Sequence, residues 1–254
     1  MRAAVCAFAC LLPATAGAVD YLELEVAGRS RSALVHPGGG DGPAPLIVVF
    51  HGLGDDAQPF ATAVGFHKEW PEATVVYPRG EPRAERRGMR GWQGFPERDE
   101  HRDIAFVDAL LAELRRRYPV DPDRVYAAGF SNGGHLTFNL LMQRPCAFAA
   151  FAPVGAVAEY IRDATVPRPV IYLFGRGEDA DLQLPWAETV VALARLNRAS
   201  GERRELGDGL VELLPGEGGA RLVYGAYREG HVWPSKGNAW IRGFLEEQAG
   251  RCPP

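Results

Sequence analysis

A serine, Ser131, lies at the centre of the pentapeptide at residues 129–133, which fits the pattern G-x-S-x-G of a nucleophilic serine. The apolar run 124–128 precedes this pentapeptide and a helical pattern follows it, so that the motif has the strand, turn and helix that it requires. A serine on such a sharp turn presents its hydroxyl to solvent, and the helix N-terminus stabilises negative charge. The pattern predicts that Ser131 is the nucleophile of an acyl transfer. The alternative is that the glycines serve only close packing.

The oxyanion formed in such a reaction needs preorganised N–H donors. The segment 51–54, His-Gly-Leu-Gly, follows the apolar run 46–50, so the backbone amide of Leu53 is predicted to pair with that of Asn132 as the two donors. The same glycines also fit a dinucleotide-binding fingerprint when Ala57 is included. No clear ribose-binding acid follows them, which disfavours the dinucleotide alternative.

The general base is predicted to be His231, because it is the histidine that follows the last apolar run, residues 222–227, and precedes a C-terminal helical pattern. The order serine, acid, histidine then places the acid in the loop after the apolar run 170–174. An acid there would orient the imidazole and stabilise its protonated form. Periodicity does not choose among three candidates: Glu178, Asp179 and Asp181.

The elements that must position these residues form an α/β pattern. Residues 21–26 alternate between apolar and acidic side chains and are predicted to pair with residues 32–36 as an N-terminal antiparallel hairpin. Short apolar runs then alternate with helical patterns, which is typical of a mostly parallel sheet with helices on both faces. The predicted helices are 59–70, 101–118, 133–143, 186–198 and 238–248. Ligands of such sheets bind at the carboxyl ends of the strands.

The composition excludes several classes of protein. The chain has 254 residues, 46% of them hydrophobic, and a formal net charge of -4, which is average for a soluble globular protein. Basic and acidic residues are interspersed, so we expect neither nucleic acid nor a membrane surface as a partner. No cysteine or histidine spacing typical of zinc occurs, and we expect no metal or cofactor. The sequence does not indicate the oligomeric state.

The N-terminus has the features of a secretory signal. Arg2 precedes an apolar run, residues 3–12, and the small residues 16–18 match the A-x-A cleavage pattern. We therefore predict a signal peptide at residues 1–18, cleaved after Ala18, and one domain at residues 19–254 that is secreted or periplasmic. The apolar run is too short to span a bilayer.

Four cysteines divide into two pairs. Cys6 and Cys10 leave with the predicted signal peptide, so Cys146 and Cys252 remain in a chain destined for an oxidising compartment. Whether these two form a disulfide or are unrelated thiols stays open at this stage.

Four segments resemble secreted esterases of the polyhydroxybutyrate depolymerase and feruloyl esterase type, within the α/β-hydrolase superfamily. They read LIVVFHGLG, RDIAFVDALLAELRRRYPVDPDRVYAAGFSNGG, FAAFAPVGA and GHVWP, and the resemblance covers nearly all of the chain after the predicted signal. It implies an α/β-hydrolase fold without a cofactor, with Ser131 as nucleophile, His231 as base, and Leu53 and Asn132 as oxyanion donors. The implied substrate is a small or polymeric ester, either a polyhydroxyalkanoate oligomer or a feruloyl or acetyl ester of a polysaccharide.

The acid loop departs from the family pattern H-G-x-x-D-x-x-V-P followed by an aromatic residue. Phe174 replaces the histidine, and extra residues separate it from Pro185. Alignment on that proline favours Asp181 as the acid. Counting from the glycine at the start of the loop favours Asp179 with one inserted residue and Glu178 with none.

Aromatic residues near these motifs could form the substrate pocket. Trp92, Trp186 and Trp233 are predicted to line it together with Phe95, because a bound acyl group needs flat apolar walls. Core packing is the alternative for each ring. The same triad could also serve a peptidase or a thioesterase, and an altered acid loop could mark an inactive binding module.

Overall fold

One mixed β-sheet of ten strands forms the centre of the computed structural model, which describes residues 18–40, 42–93, 101–158, 161–176, 180–250 and 252. Its strands are β1 (Asp20–Val26), β2 (Arg29–His36), β3 (Ala44–Phe50), β4 (Thr74–Pro78), β7 (Val120–Phe130), β8 (Ala150–Val154), β9 (Val170–Gly175), β10 (Ala199–Gly207), β11 (Leu210–Pro215) and β12 (Leu222–Tyr227). A separate pair consists of β5 (Glu81–Pro82) and β6 (Arg90–Gly91). The helices are α1 (Ala57–Val64), α2 (Phe66–Glu69), α3 (Arg102–Arg117), α4 (Asn132–Gln143), α5 (Ala180–Leu196) and α6 (Gly237–Glu246).

The strand order is β1-β2-β4-β3-β7-β8-β9-β12-β11-β10. The six strands from β4 to β12 in this order are parallel, and Ile47 of β3, for example, lies between Val75 of β4 and Tyr126 of β7. Strands β1 and β2 form an antiparallel hairpin at one edge. The predicted mostly parallel sheet with an N-terminal hairpin is therefore confirmed.

Helices cover both faces of the sheet. Successive side chains of a strand point to opposite faces, so the apolar residues of one strand pack on both layers of helices. In β3, Leu46, Val48 and Phe50 pack on the face covered by α3, α4 and α5, whereas Ile47 and Val49 pack on the face covered by α1, α2 and α6. The predicted helix 59–70 is in fact two helices. Gly65 separates them with a left-handed φ of 60°.

The other edge of the sheet is an antiparallel hairpin, β10 and β11, that no sequence pattern above predicts. Nearly every residue of β10 is exposed, so the strand lacks the apolar alternation by which a half-buried strand is recognised. The turn between the two strands contains Asp208 and Gly209, both with positive φ, and this Asp-Gly pair is the one local signal of a hairpin.

The C-terminal tail is fastened to the domain at two points. Cys146, which follows α4, forms a disulfide with Cys252. The buried guanidinium of Arg168 donates hydrogen bonds to the carbonyl oxygens of Phe148 and Gly250, and burial lowers its pKa. The sequence left open whether Cys146 and Cys252 are bonded. In the structure they form a disulfide between positions 106 residues apart in the chain.

The predicted signal peptide lies almost wholly outside the described residues, which begin at residue 18. None of the helices that the structure describes is long and apolar enough to cross a membrane.

Candidate active site

Ser131 lies on the sharp turn between β7 and α4. Its backbone angles, φ 51° and ψ -115°, are unfavourable for a residue with a side chain, and a hydrogen bond from its N–H to the carbonyl oxygen of Val154 (2.8 Å) holds them. The turn also requires glycine at position 133, where a Cβ would lie 2.7 Å from the carbonyl oxygen of His51. The strand, turn and helix expected around this serine are therefore present.

His231 meets this serine from the far end of the chain. Its Nε2 atom lies 2.8 Å from Oγ of Ser131, and its ring packs against Phe130 with a centroid separation of 4.9 Å. The loop between β12 and α6 that carries His231 is closed by Glu229, whose carboxylate accepts hydrogen bonds from the hydroxyl and the N–H of Ser235. These bonds lower the pKa of Glu229. Hydroxyl and imidazole are thus within proton-transfer distance of each other.

Two of the three acid candidates, Glu178 and Asp179, lie outside the described residues. Asp181 is the second residue of α5, and its side chain is not among those described. The segment that holds all three follows the carboxyl end of β9, which pairs in parallel with β12, the strand that leads to His231. The choice of the acid stays a prediction.

The predicted oxyanion donors belong to two different loops. Leu53 follows β3, and Asn132 is the first residue of α4. A short segment, residues 90–92, joins them, and we call it the strap. The carbonyl oxygen of Arg90 in the strap accepts a hydrogen bond from the N–H of Gly54 (2.8 Å), next to Leu53.

The other end of the strap is held by Asn132 itself. Its Oδ1 accepts a hydrogen bond from the N–H of Trp92 (2.6 Å), and its Nδ2 donates to the Trp92 carbonyl oxygen (3.0 Å). Between these contacts, a Cβ at Gly91 would lie 2.6 Å from Oδ1 of Asn132 and 2.9 Å from Cδ1 of Leu53. The strap is a part of the site that the sequence patterns do not predict, although its glycine stands in the long irregular segment before α3.

Two buried groups support the strap. The Trp92 indole N–H donates to the carbonyl oxygen of His51 (2.9 Å), and Nε2 of His51 accepts from the N–H of Gly80 (3.0 Å). Burial lowers the pKa of His51, so its role at neutral pH is that of a neutral structural histidine. The hydrogen bond from Trp92 to His51 joins the strap to the end of β3.

Asp103 in the first turn of α3 extends this support into the core. Its carboxylate pairs with Arg31 (2.7 Å) and accepts from the N–H of Gln93, the residue after the strap (2.8 Å). The guanidinium of Arg31 stacks on the ring of Phe106 at 4.0 Å. Both charged side chains are buried, so each depends on the other to balance its charge.

The structure corrects the expected aromatic substrate wall. Trp92 has no exposed surface, and Trp186 is 3% exposed with its ring stacked on Phe174. A ring without exposed surface offers no face to a ligand, so core packing is the role of both. Trp233 is partly buried against Phe60, with its indole N–H bonded to Asn238. Phe95 lies outside the described residues.

Exposed apolar side chains stand near the site instead. Leu53, Met89 and Val232 are each more than one third exposed. Leu53 lies in the loop after β3, Met89 lies beside Gly54 and precedes the strap, and Val232 follows His231. Among the residues that the structure describes, no group of three or more histidine, cysteine or acidic side chains is placed to hold a metal ion.

The chain is 30% identical to "Putative esterase NocK" of Nocardia uniformis subsp. tsuyamanensis over an alignment of 263 positions. The match covers 84% of this chain and 73% of that protein. The chain belongs to the family of NocK. A model of the Prolyl oligopeptidase family also matches residues 79–192, which include the strap and Ser131.

A further relative of this NocK family member is the bifunctional acetylxylan esterase/xylanase XynS20E of Neocallimastix patriciarum. The two are 29% identical over 148 residues, which is 54% of this chain but 19% of that much longer protein. These relatives confirm an esterase family within the α/β-hydrolase superfamily, and the finer resemblance to polyhydroxybutyrate depolymerases and feruloyl esterases stays a prediction.

Solved structures share the fold. Native pOPH superimposes with a TM-score of 0.66 at 17% identity, covering 96% of this chain and 92% of pOPH. The S-formylglutathione hydrolase FrmB of Staphylococcus aureus superimposes with a TM-score of 0.60 at 12% identity, covering 90% and 98% of the two chains. The protein therefore has the α/β-hydrolase fold that the sequence predicts.

Proposed function

We propose that this protein is a serine esterase that hydrolyses carboxylic esters through an acyl-enzyme. The observation that carries the proposal is the 2.8 Å contact between Oγ of Ser131 and Nε2 of His231, made at a strained turn of an α/β-hydrolase sheet. Membership in the NocK family supports an ester as the substrate.

The reaction proceeds in two steps. Oγ of Ser131 attacks the ester carbonyl carbon while Nε2 of His231 takes its proton, and the C–O bond to the alcohol breaks as that proton passes to the departing oxygen. Water then attacks the acyl carbon, gives its proton to His231, and releases the acid as Ser131 regains its proton. The N–H groups of Leu53 and Asn132 stabilise the oxyanion in both steps, and each donor lowers the barrier by about 3 kcal/mol.

The acid of the triad is Asp181 in this proposal, with Asp179 as the alternative. A carboxylate there holds the tautomer of His231 whose Nε2 is free to accept a proton. Its removal therefore lowers kcat far more than it changes KM.

The substrate class follows from the surroundings of the site and from the relatives. The exposed side chains of Leu53, Met89 and Val232 offer apolar contacts to the group on either side of the scissile bond. We propose a polyhydroxyalkanoate oligomer or a feruloyl or acetyl ester of a polysaccharide, and the acetylxylan esterase relative supports the last of these. Export through the segment 1–18 fits the Cys146–Cys252 disulfide.

The test is hydrolysis of p-nitrophenyl acetate, p-nitrophenyl butyrate and methyl ferulate by the wild type beside Ser131→Ala, Asp179→Ala and Asp181→Ala. We expect turnover by the wild type, loss of at least about 10³-fold in Ser131→Ala, and a similar loss in one of the two aspartate variants. Equal rates for the wild type and Ser131→Ala on every ester would refute the proposal.

A peptidase is the second candidate, because the matching family model is that of the Prolyl oligopeptidase family. The same variants assayed on a prolyl p-nitroanilide distinguish the two. Esterase function predicts that ester hydrolysis exceeds anilide hydrolysis, and the reverse ranking would favour the peptidase.

A further inference from the structure

A groove of about 430 Å³ lies at the base of the loop that carries His231, residues 228–236, which we call the His231 loop. Its walls come from the carboxyl ends of β9 and β12, from the turn between β10 and β11, and from the start of α6. Strands β9 and β12 are parallel to β7, so the groove opens at the same edge of the sheet as Ser131. This edge is where α/β proteins bind ligands.

Two arginines line the groove, Arg176 directly after β9 and Arg228 directly after β12. The N–H of Arg176 donates to the carbonyl oxygen of Tyr227, which holds the two segments side by side. Both arginine side chains belong to exposed residues, and among the described residues neither guanidinium has a carboxylate partner. Both side chains are therefore exposed at the wall of the groove.

The carboxylates of the groove are already engaged. Asp208 pairs with Nζ of Lys236 at 2.7 Å, and Glu229 accepts the hydrogen bonds of Ser235 that close the His231 loop. The lining holds three cationic side chains, Arg176, Arg228 and Lys236, against two carboxylates, Asp208 and Glu229, so its excess of positive charge favours an anion. One guanidinium binds one carboxylate through two parallel N–H···O bonds.

The shape of the groove adds an apolar element. Trp240 of α6 contributes its ring to the lining, and its indole N–H points to Asp208 at 3.5 Å. An aromatic ring beside two arginines suits a hydrocarbon chain that ends in a carboxylate.

The groove lies to one side of the nucleophile, at strands farther along the sheet. Strands β7 and β12 are separated by β8 and β9, which places their axes roughly 14 Å apart at the usual spacing of neighbouring strands. An anion in the groove therefore belongs to a part of the substrate that is separated from the scissile bond by a linker.

We propose that this groove is a specificity site for an ester that carries a carboxylate remote from its scissile bond, and that Arg176 and Arg228 bind this carboxylate. The inference rests on the proposed esterase function and names a substrate class for it. The carboxylate takes no part in the chemistry, so it contributes to kcat/KM through binding.

The test uses p-nitrophenyl half-esters of succinate, adipate and suberate, each compared with the p-nitrophenyl ester of the monocarboxylic acid of equal chain length. We expect the ratio of kcat/KM between the charged and the neutral ester to rise with chain length, reaching about tenfold for suberate. The ratio should fall toward one as salt is added, because the site is open to solvent.

The double variant Arg176→Gln/Arg228→Gln should lose this preference, about tenfold in kcat/KM for the suberate half-ester, while the neutral ester changes less than twofold. Arg195→Gln is the matched control, because Arg195 is an exposed arginine near the C-terminal end of α5, away from the groove. A double variant that slows both esters equally, or a wild type without preference at any length, would overturn the inference.

Failure of the esterase proposal gives a different result, since no ester of either kind would then be turned over. Calorimetric titration of Ser131→Ala with suberate tests the groove without turnover. Saturable binding that the added Arg176→Gln/Arg228→Gln pair abolishes supports the anion site. Absence of saturable binding contradicts it.

Discussion

The side-chain amide of Asn132 pairs with both backbone groups of Trp92, accepting from its N–H at 2.6 Å and donating to its carbonyl oxygen at 3.0 Å. Asn132 follows Ser131, the proposed nucleophile, and Trp92 ends the strap whose other end holds the loop of Leu53. The residue whose backbone N–H is proposed as one oxyanion donor thus uses its side chain to fix the segment next to the other proposed donor, Leu53.

Replacement of this amide should therefore affect turnover more than binding. We expect Asn132→Ala to lower kcat about tenfold or more with a smaller change in KM, because a displaced oxyanion donor weakens only the transition state. Steady-state kinetics on p-nitrophenyl butyrate measures this split. Asn139→Ala is the control, since Asn139 is a buried amide on the same helix that bonds to Gln143 instead. Equal losses of kcat in both variants would contradict the role of the strap.

Glycines in α4 and α6 should respond in opposite directions to alanine. At Gly133 a Cβ would meet the backbone oxygen of His51 at 2.7 Å, so Gly133→Ala should destabilise the fold by about 1–3 kcal/mol and reduce activity. At Gly243, an exposed helical position with nothing near the added Cβ, alanine should stabilise by about 0.5–1 kcal/mol. Urea denaturation measures both changes.

Asp103 should be among the most sensitive carboxylates, because its removal leaves Arg31 buried without a partner. We expect Asp103→Ala to cost about 3–5 kcal/mol of unfolding free energy. Glu113→Ala on the same helix removes ion pairs with Arg116 and Arg117, whose side chains are exposed to solvent. This variant should lose less than about 1 kcal/mol of unfolding free energy. Denaturant midpoints that fall equally in the two variants would contradict the buried network.

The disulfide should stabilise without taking part in catalysis. Crosslinking two cysteines 106 residues apart removes about 4–5 kcal/mol of unfolded-state entropy in the loop-closure picture. The double variant Cys146→Ser/Cys252→Ser should therefore unfold at lower denaturant while its kcat stays near that of the wild type. Recovery of two free thiols, without reductant, from an unfolded wild-type chain that begins at Val19 and so lacks Cys6 and Cys10 would show that the bond is absent.

Acid should destabilise the fold through a histidine pair remote from the active site. The rings of His36 and His67 stack at 3.7 Å, and burial together with the charge on His67 lowers the pKa of His36 from 6.5 to about 4. A lowered pKa means that the unfolded chain binds the proton first, so stability should fall as pH drops from 6.5 toward 4. The site is half exposed, which limits the loss to roughly 1 kcal/mol.

Stability curves of the wild type and His36→Phe between pH 7 and 4.5 check this prediction. The variant keeps a ring that can stack on His67 but cannot accept a proton, so its pH dependence should be shallower. Parallel curves for the two proteins would show that this pair does not titrate on unfolding.

Much of the fold was predictable because elements with buried faces have a periodic pattern of apolar residues in the sequence. Buried elements were predicted from the apolar runs of β3, β4 and β9 and from the apolar stripe along α3. These elements occur where expected. The hairpin of β10 and β11 left no such pattern because β10 is exposed on both faces. The substrate-wall prediction for Trp92 and Trp186 was wrong for a related reason, since composition does not tell which aromatic rings are buried in the core.

The sequence by itself determined the candidate chemistry: a serine between a strand and a helix, a glycine-rich loop after an earlier strand, and a histidine after the last strand. Those features are local, and their meaning depends on a few neighbouring residues. Only the tertiary structure decided which distant groups meet. Ser131 and His231 stand 100 positions apart, and Asn132 and Trp92 stand 40 apart. Ser131 and His231 meet because a parallel sheet gathers the carboxyl ends of its strands at one edge. Trp92 follows β6, outside that sheet, and its contact with Asn132 has no local pattern that records it.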